Sequence, residues 1–419
     1  MNYYDIIIIG GGIAGLNCAY ELSKKKKYKI LLLDERKYLG GRILTFYEKD
    51  YHYELGAGRF NNKHKNLLDL ITKFNLTKIE MDNKIDYIDK KFNLTKNIFF
   101  SVIKKIINKL KKINSNILKK YTFKELCYKY FNKKYINKII NYFGYKAEFE
   151  ILNSYNAIKI FKKNFIENKF YYLKEGLSEI CNRLSKECLK NNVKIKLNSL
   201  VNNISKFNDS YKIEINDKDY YCNNLILAIK KNDLLKFKIL KPINNILNSV
   251  KSAPLLRIYA YYPINKLDNS VWFSKLNKIV TNTKLKFIIP INKKYGIIMI
   301  SYTDYRDTIP FIKDNKIKND NEIINIINNE LKKIFNIDIP NPIKLHSYYW
   351  IRGCHYWKKN YDSDIISKNI INPIHNIYIC GETYSLNQAW IEGALETSKK
   401  VIKKINELFI SLHNIKYIN

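Results

Sequence analysis

The chain has 419 residues, 46% of them hydrophobic. That excludes a disordered polymer and allows a sizeable core, most naturally split into two domains of about 100–200 residues each. Lys and Arg number 74 against 38 acids, a formal charge of +36, and 67 of those cations are Lys. With 54 Asn and 34 Tyr beside them, the charge reads as A/T-rich codon bias on a solvated surface more than as a polyanion site. The same bias makes Gly and Arg scarce, so their positions carry information. Eight of the 14 Gly lie between Gly10 and Gly58, and three of the seven Arg between Arg36 and Arg59.

In chain order, Asp5-Ile6-Ile7-Ile8-Ile9 is a β-branched run that stops at Gly10. Continuous apolarity predicts a strand buried on both faces, as in a parallel sheet. A helix follows from Ile13 to about Lys25, then a second buried strand from Lys29 to Asp34, completing a βαβ opening. Residues 96–146 carry 14 Lys and one acid, Glu125, with Ile103, Ile106, Ile107 and Leu110 at helical spacing. They read as amphipathic helices with a basic outer face. Strands are predicted at 170–173, 193–197, 211–215 and 225–228, with a helix at roughly 177–190 between the first two. Further strands fall at 255–262 and within 286–301, then an amphipathic helix at 321–335. Ile377-Tyr378-Ile379-Cys380 is a last short strand, and a long helix runs on from about Gln388.

The seven Cys are scattered, no Cys-x-x-Cys occurs, and no Cys/His cluster has zinc spacing, so no metal is expected. That pattern, with no signal peptide ahead of the first strand, predicts a reducing, cytoplasmic location. No apolar run reaches the ~20 residues of a membrane span.

Gly10-Gly11-Gly12-Ile13-Ala14-Gly15 satisfies G-x-G-x-x-G between a strand and a helix. Gly10 makes the tight turn, Gly12 lets backbone N–H groups approach a pyrophosphate, and Gly15 lets helix and sheet pack closely. Ala14 lies in the first helical turn, whose N-terminus faces the phosphates. Asp34, 19 residues after Gly15, ends the next strand where a ribose hydroxyl would be bound. Six residues later Gly40-Gly41-Arg42 offers a second close backbone approach and a fixed cation.

Asp34-Glu35-Arg36 followed by Gly40-Gly41-Arg42-Ile43-Leu44-Thr45 resembles the opening of the flavin-containing amine oxidases. This family includes monoamine, polyamine and L-amino-acid oxidases. A second match is Ile377-Tyr378-Ile379-Cys380-Gly381-Glu382-Thr383 with Ala389-Trp390-Ile391-Glu392-Gly393-Ala394. The resemblance implies bound FAD. Glu35 and Arg36 would lie near its adenosine half, Val201 would meet the adenine, and Glu382 would accept from a ribityl hydroxyl. The final helix, opening at Ile391, would aim its N-terminus at the pyrimidine side of the flavin. Trp390 would form one aromatic wall of a substrate cage, with Tyr356 or Trp357 opposite. Glu54-Leu55-Gly56-Ala57-Gly58-Arg59-Phe60 looks like the L-amino-acid oxidase branch, in which an Arg grips the substrate carboxylate. By that resemblance Gly56, Ala57, Gly58 and Arg59 also border the cofactor, and Gly58 replaces a usual Met. Arg257 stands where the family typically has a Lys that assists reoxidation. Cys354 lies near the place where monoamine oxidases attach flavin covalently; non-covalent FAD is the main expectation here.

The implied fold class is α/β: a Rossmann-like FAD-binding domain with a second α+β substrate domain, its segments interleaved along the chain. Residues 1–60, 166–240 and 346–413 would form the first, and 61–165 with 241–345 the second. The implied reaction is oxidation of the C–N bond of a primary or secondary amine, an L-amino acid among them. Hydride would pass to flavin N5, with oxygen as the expected acceptor. Two alternatives stay open: a desaturase or protoporphyrinogen-oxidase-like enzyme, and a flavin-bearing binding or structural protein with little turnover. The partner is a small-molecule amine or amino acid. The Lys-rich 96–146 face leaves open a nucleic acid or acidic surface, and a homodimer is compatible with the sequence.

Overall fold

The computed structural model describes residues 2–82, 84–88, 96–166, 168–216 and 218–416, with side chains described for all of these except 96–98 and 408–416. The opening isoleucine run forms β1 (Asn2–Ile9), in which Ile6, Ile7 and Ile8 are wholly buried. Helix α1 (Ile13–Ser23) and β2 (Ile30–Leu33) complete the βαβ unit, and β1 and β2 are parallel with Ile6 opposite Ile30. The sheet continues with β3 (Lys194–Lys196) beside β2, and with β4 (Lys218–Leu227) on the other side of β1. The last third of β4 pairs in parallel with β5 (Ile377–Ile379). The order β3-β2-β1-β4-β5 is that of a dinucleotide-binding sheet, whose crevice opens at the carboxyl end of β1. The first half of β4 pairs instead with Ser210–Ile215 of an antiparallel hairpin, so β4 runs longer than its apolar end suggested.

A second, six-stranded sheet is built from Lys344–Trp357, Val250–Tyr261, Ile297–Asp304, Phe287–Asn292, Lys278–Thr281 and Ile85–Ile88, in that order. The helix Asp320–Phe335 buries Ile323, Ile327 and Leu331 in the same core as Leu256, Ile258 and Ile300. Strand Lys344–Trp357, absent from the sequence reading, mixes polar and aromatic residues without clean alternation. It is one continuous element of this second sheet, so the boundary expected at 346 falls inside it.

The helical block reads through further than 146. It comprises helices from Lys96–Leu110 to Ser154–Asn164, gathered around Phe123, Phe143, Phe149 and Phe161. Thr122 and Glu125 start one of them with a reciprocal capping box. Lys119, Lys124 and Lys146 of the basic segment are ion-paired to Asp362, Glu150 and Asp307 of the chain itself. The final helix α2 (Ile391–Lys416) packs along α1. It starts at Ile391 instead of Gln388 because Ala389 has φ +65°, which no helix accommodates. Among the described residues, Asn supplies ten of the 15 non-glycine positions at positive φ, the substitute expected where Gly is rare. No helix among the described residues is long and apolar enough to cross a membrane, and no group of three or more His, Cys, Asp or Glu among them could hold a metal.

Candidate functional site

A cavity of about 830 Å³ runs from the end of β1 to the second sheet, near the upper end of the usual ~300–1,000 Å³ range for ligand sites. Of the residues singled out in the sequence, Gly10, Gly12, Ala14, Asp34, Glu35, Arg36, Gly41, Arg42, Gly56, Ala57, Gly58, Arg59, Val201, Arg257, Cys354, Tyr356, Gly381, Glu382, Trp390 and Ile391 all line it. Gly15 does not, and Trp357 is buried elsewhere, its indole N–H donating to the Ser385 carbonyl. Between the two candidates for the opposite wall, the strand's alternation turns Tyr356 to the cavity.

The glycine loop is shaped by contacts that only Gly permits. A Cβ on Gly15 would sit 1.9 Å from the Gly10 carbonyl oxygen, which fixes how closely α1 approaches the loop. A Cβ on Gly12 would meet nothing nearer than the Gly40 carbonyl oxygen at 4.0 Å, and one on Gly381 nothing within 4 Å. Both glycines therefore present bare backbone to the cavity. No side chain caps α1 and its first turn holds no acid, so its N-terminal N–H groups are left for an anion. Asp34 holds the loop rigid: Oδ2 accepts from Gly11 N–H at 2.6 Å and Oδ1 from Arg36 N–H at 2.8 Å. Burial raises its pKa. The second glycine pair locks on through Gly40 N–H to the Gly11 carbonyl at 2.9 Å. Arg36 donates to the Gly41 carbonyl and to Tyr38 and stacks over Trp350. A dinucleotide diphosphate fits this cradle in shape and charge.

Glu382, on the cavity wall, is also bonded within the protein. Its Oε1 accepts from the backbone N–H groups of His355 and Ala389, and its Oε2 from Arg42 at 2.8 Å and His355 Nδ1 at 2.9 Å. Four donors occupy its two oxygens from within the chain. Against the cost of burial, the charges of Arg42 and His355 hold its carboxyl well below the ordinary range. Glu382 thereby ties the second glycine pair, through Arg42, to the far end of the chain and holds Ala389 in its left-handed conformation, with Trp390 next in line. Replacing Glu382 with Gln leaves Arg42 without its counter-charge, and we expect a loss of about 3 kcal/mol in urea unfolding at pH 7. Because the folded pKa is depressed, that difference should be full above the ordinary value of 4.5 and shrink as pH falls below it.

On the substrate side, the Arg59 guanidinium lies 4.7 Å from the Phe170 ring centre and 5.9 Å from that of Trp390. It has no hydrogen bond or ion pair among the described residues. His64, held neutral by burial with its pKa lowered to about 4, packs edge-on to Trp390 at 4.9 Å. Arg257 is buried, donates to the Glu54 carbonyl, and lies over the Tyr302 ring at 4.7 Å. Its guanidinium nitrogens come within 3.0 Å of where a Gly58 Cβ would be, so Gly58 makes the room that Arg257 fills. Cys354 keeps its thiol protonated: burial, then the nearby Glu382 charge, push it far up. Glu148, His355 and Phe170 also stand at the site and were not singled out in the sequence.

These features define a protein of the dinucleotide-binding class whose cavity extends to a second sheet. The family model for flavin-containing amine oxidoreductases matches residues 13–405, and the chain belongs to that family. A protein of Dictyostelium discoideum described as a probable flavin-containing monoamine oxidase A is 29% identical over 118 residues, 24% of this chain and 25% of that one. The L-amino acid oxidase Cdc18 of Crotalus durissus cumanensis is 35% identical over 75 residues, 18% of this chain and 15% of its own length. The aligned segments thus span a quarter or less of these relatives. A redesigned putrescine oxidase has the same fold across 97% of this chain and 99% of its own, with TM-score 0.78 at 12% identity.

Proposed function

We propose that the chain is an FAD-dependent oxidase of α-amino acids. The observation that carries this reading is Arg59, a planar cation in the cavity with no acidic partner among the described residues, steadied by two aromatic faces. Its fork pairs both oxygens of a carboxylate, which a simple amine lacks. The likeness to L-amino acid oxidases supports the choice.

FAD, when bound, supplies the two-electron acceptor for the substrate's α C–H. Gly12 and the N-terminus of α1 would hold its diphosphate, with Asp34 and Val201 on the adenosine side and Gly381 beside the ring. Arg59 orients the substrate by its carboxylate. Trp390 and Tyr356 wall the reacting carbon from water. Arg257, fixed by the Glu54 carbonyl and always protonated, supplies a permanent positive charge to the compartment and no proton transfer. The imine product is hydrolysed by water to a keto acid and ammonia, and oxygen is the electron acceptor in this reading. Cys354, a protonated thiol, gives no thiolate for attachment, so the cofactor is held non-covalently. Acid precipitation should release all the flavin into solution, and Cys354→Ser should retain it.

The test is anaerobic mixing of the holoenzyme with a panel of L-amino acids, monoamines and diamines while visible flavin absorbance is followed. Bleaching by amino acids is the expected result. Bleaching by amines alone would overturn the amino-acid reading.

A further inference from the structure

Glu148 has no part in the account so far. It belongs to the short helix Ala147–Glu150, is 6% exposed, and lines the same cavity as Arg59. The Tyr356 hydroxyl donates to its Oε1 at 3.3 Å, while its Oε2 has no hydrogen-bond partner. No Lys or Arg pairs with it among the described residues. A buried carboxyl short of donors is costly, and a ligand bringing N–H groups removes that cost. The groups that face it are Tyr145, Asp304, Cys354, Tyr356 and Arg59. Asp304 is occupied, its oxygens accepting from the backbone N–H groups of Lys146 and Ala147. Arg59 acts on Glu148 through its charge, yet no ion pair joins them. A fixed cation and a carboxyl short of donors, lining one cavity without touching, are the complement of a zwitterion.

We propose that Glu148 is the ammonium acceptor of the substrate site, taking a proton from the α-ammonium of an amino acid whose carboxylate Arg59 holds. The inference rests on the amino-acid reading above. The N–H bond breaks, an O–H bond forms on the carboxylate, and nitrogen keeps the electron pair, so the bound amine is neutral as hydride loss requires. Burial first, and then the charge of Asp304, push the Glu148 carboxyl up to about 8, close enough to an amine for the exchange. Glu148 therefore holds its proton to higher pH than an ordinary carboxyl, and binding a zwitterion expels that proton.

The experiment is titration calorimetry of the holoenzyme with 2-aminoisobutyrate, which has no α C–H to oxidise, in two buffers of different ionisation enthalpy. Isobutyrate serves as the carboxylate-only control. Wild type should release protons on binding at pH 7, and fewer as pH rises to 9. Glu148→Gln should keep the flavin spectrum, bind 2-aminoisobutyrate at least tenfold more weakly at pH 8, and bind isobutyrate within twofold of wild type. Unchanged 2-aminoisobutyrate affinity in that variant, or no proton release by wild type at either pH, would overturn the inference while isobutyrate binding through Arg59 kept the amino-acid reading intact. An equal loss of both ligands would reduce Glu148 to a structural part and overturn it as well. A wild-type enzyme bleached by simple amines but binding neither ligand would retire the amino-acid reading and this inference with it.

Discussion

Gly15→Ala should produce a chain that folds less stably and no longer holds FAD. The added methyl would sit 1.9 Å from the Gly10 carbonyl oxygen and 3.3 Å from the Ala228 Cβ. The obstacle is backbone on a loop pinned by Gly10 N–H to the Leu33 carbonyl and by Gly11 N–H to Asp34, so it has no rotamer by which to retreat. Overpacking of this kind costs about 1–3 kcal/mol or more. Relief comes from moving α1 away from the loop, which withdraws the helix N-terminus from the diphosphate. We expect FAD affinity to fall by roughly two orders of magnitude, equivalent to about 3 kcal/mol. Fluorescence titration of FAD into the apoprotein measures it. Gly12→Ala is the informative contrast, because its Cβ meets no protein atom closer than 4.0 Å. It should leave urea unfolding of the apoprotein unchanged and still weaken FAD binding, separating the two roles within one motif.

Arg59→Ala should cost kcat/KM for amino acids a factor of roughly 10² or more. Truncating one partner of a buried, hydrogen-bonded charge pair costs about 2–5 kcal/mol. The matching amine without the carboxylate should lose no more than a fewfold, since it never used the guanidinium. Arg59→Lys should fall between, keeping charge but losing the fork that pairs two oxygens at once. Equal losses on the acid and the amine would mean that Arg59 serves the aromatic stack of Phe170 and Trp390 instead of the substrate.

The parallel sheet was legible because local sequence and tertiary role agree in it. Ile6–Ile9, Leu31–Leu33 and Leu225–Leu227 are continuously apolar, and their burial on both sides leaves no other reading. The glycine cradle was legible because scarce residues mark backbone needs. The second sheet was harder. Strand Lys344–Trp357 carries His346, Ser347, Arg352 and His355 among aromatics: Trp350, Cys354 and Tyr356 line the cavity, His355 meets Glu382, His346 meets Tyr53 and Arg352 reaches Asp233. Periodicity fails where a strand has no single wet face. The internal bonds of Glu382 were hidden for a related reason. Its partners Arg42, His355 and Ala389 lie in three separate segments, and only the fold shows that together they occupy both its oxygens. Glu148 was invisible on the same grounds, since its meaning comes from Arg59 and Tyr356, distant in sequence.

The account stands or falls on one cavity joining both ends of the chain around a single FAD. The direct measurement is FAD bound per chain, read from the absorbance of flavin released by acid from purified, FAD-reconstituted protein. One FAD per polypeptide is the predicted value, falling to near zero in Gly15→Ala. A colourless protein that retains no FAD after reconstitution, or one that binds it equally well without the Gly15 contact, would contradict it.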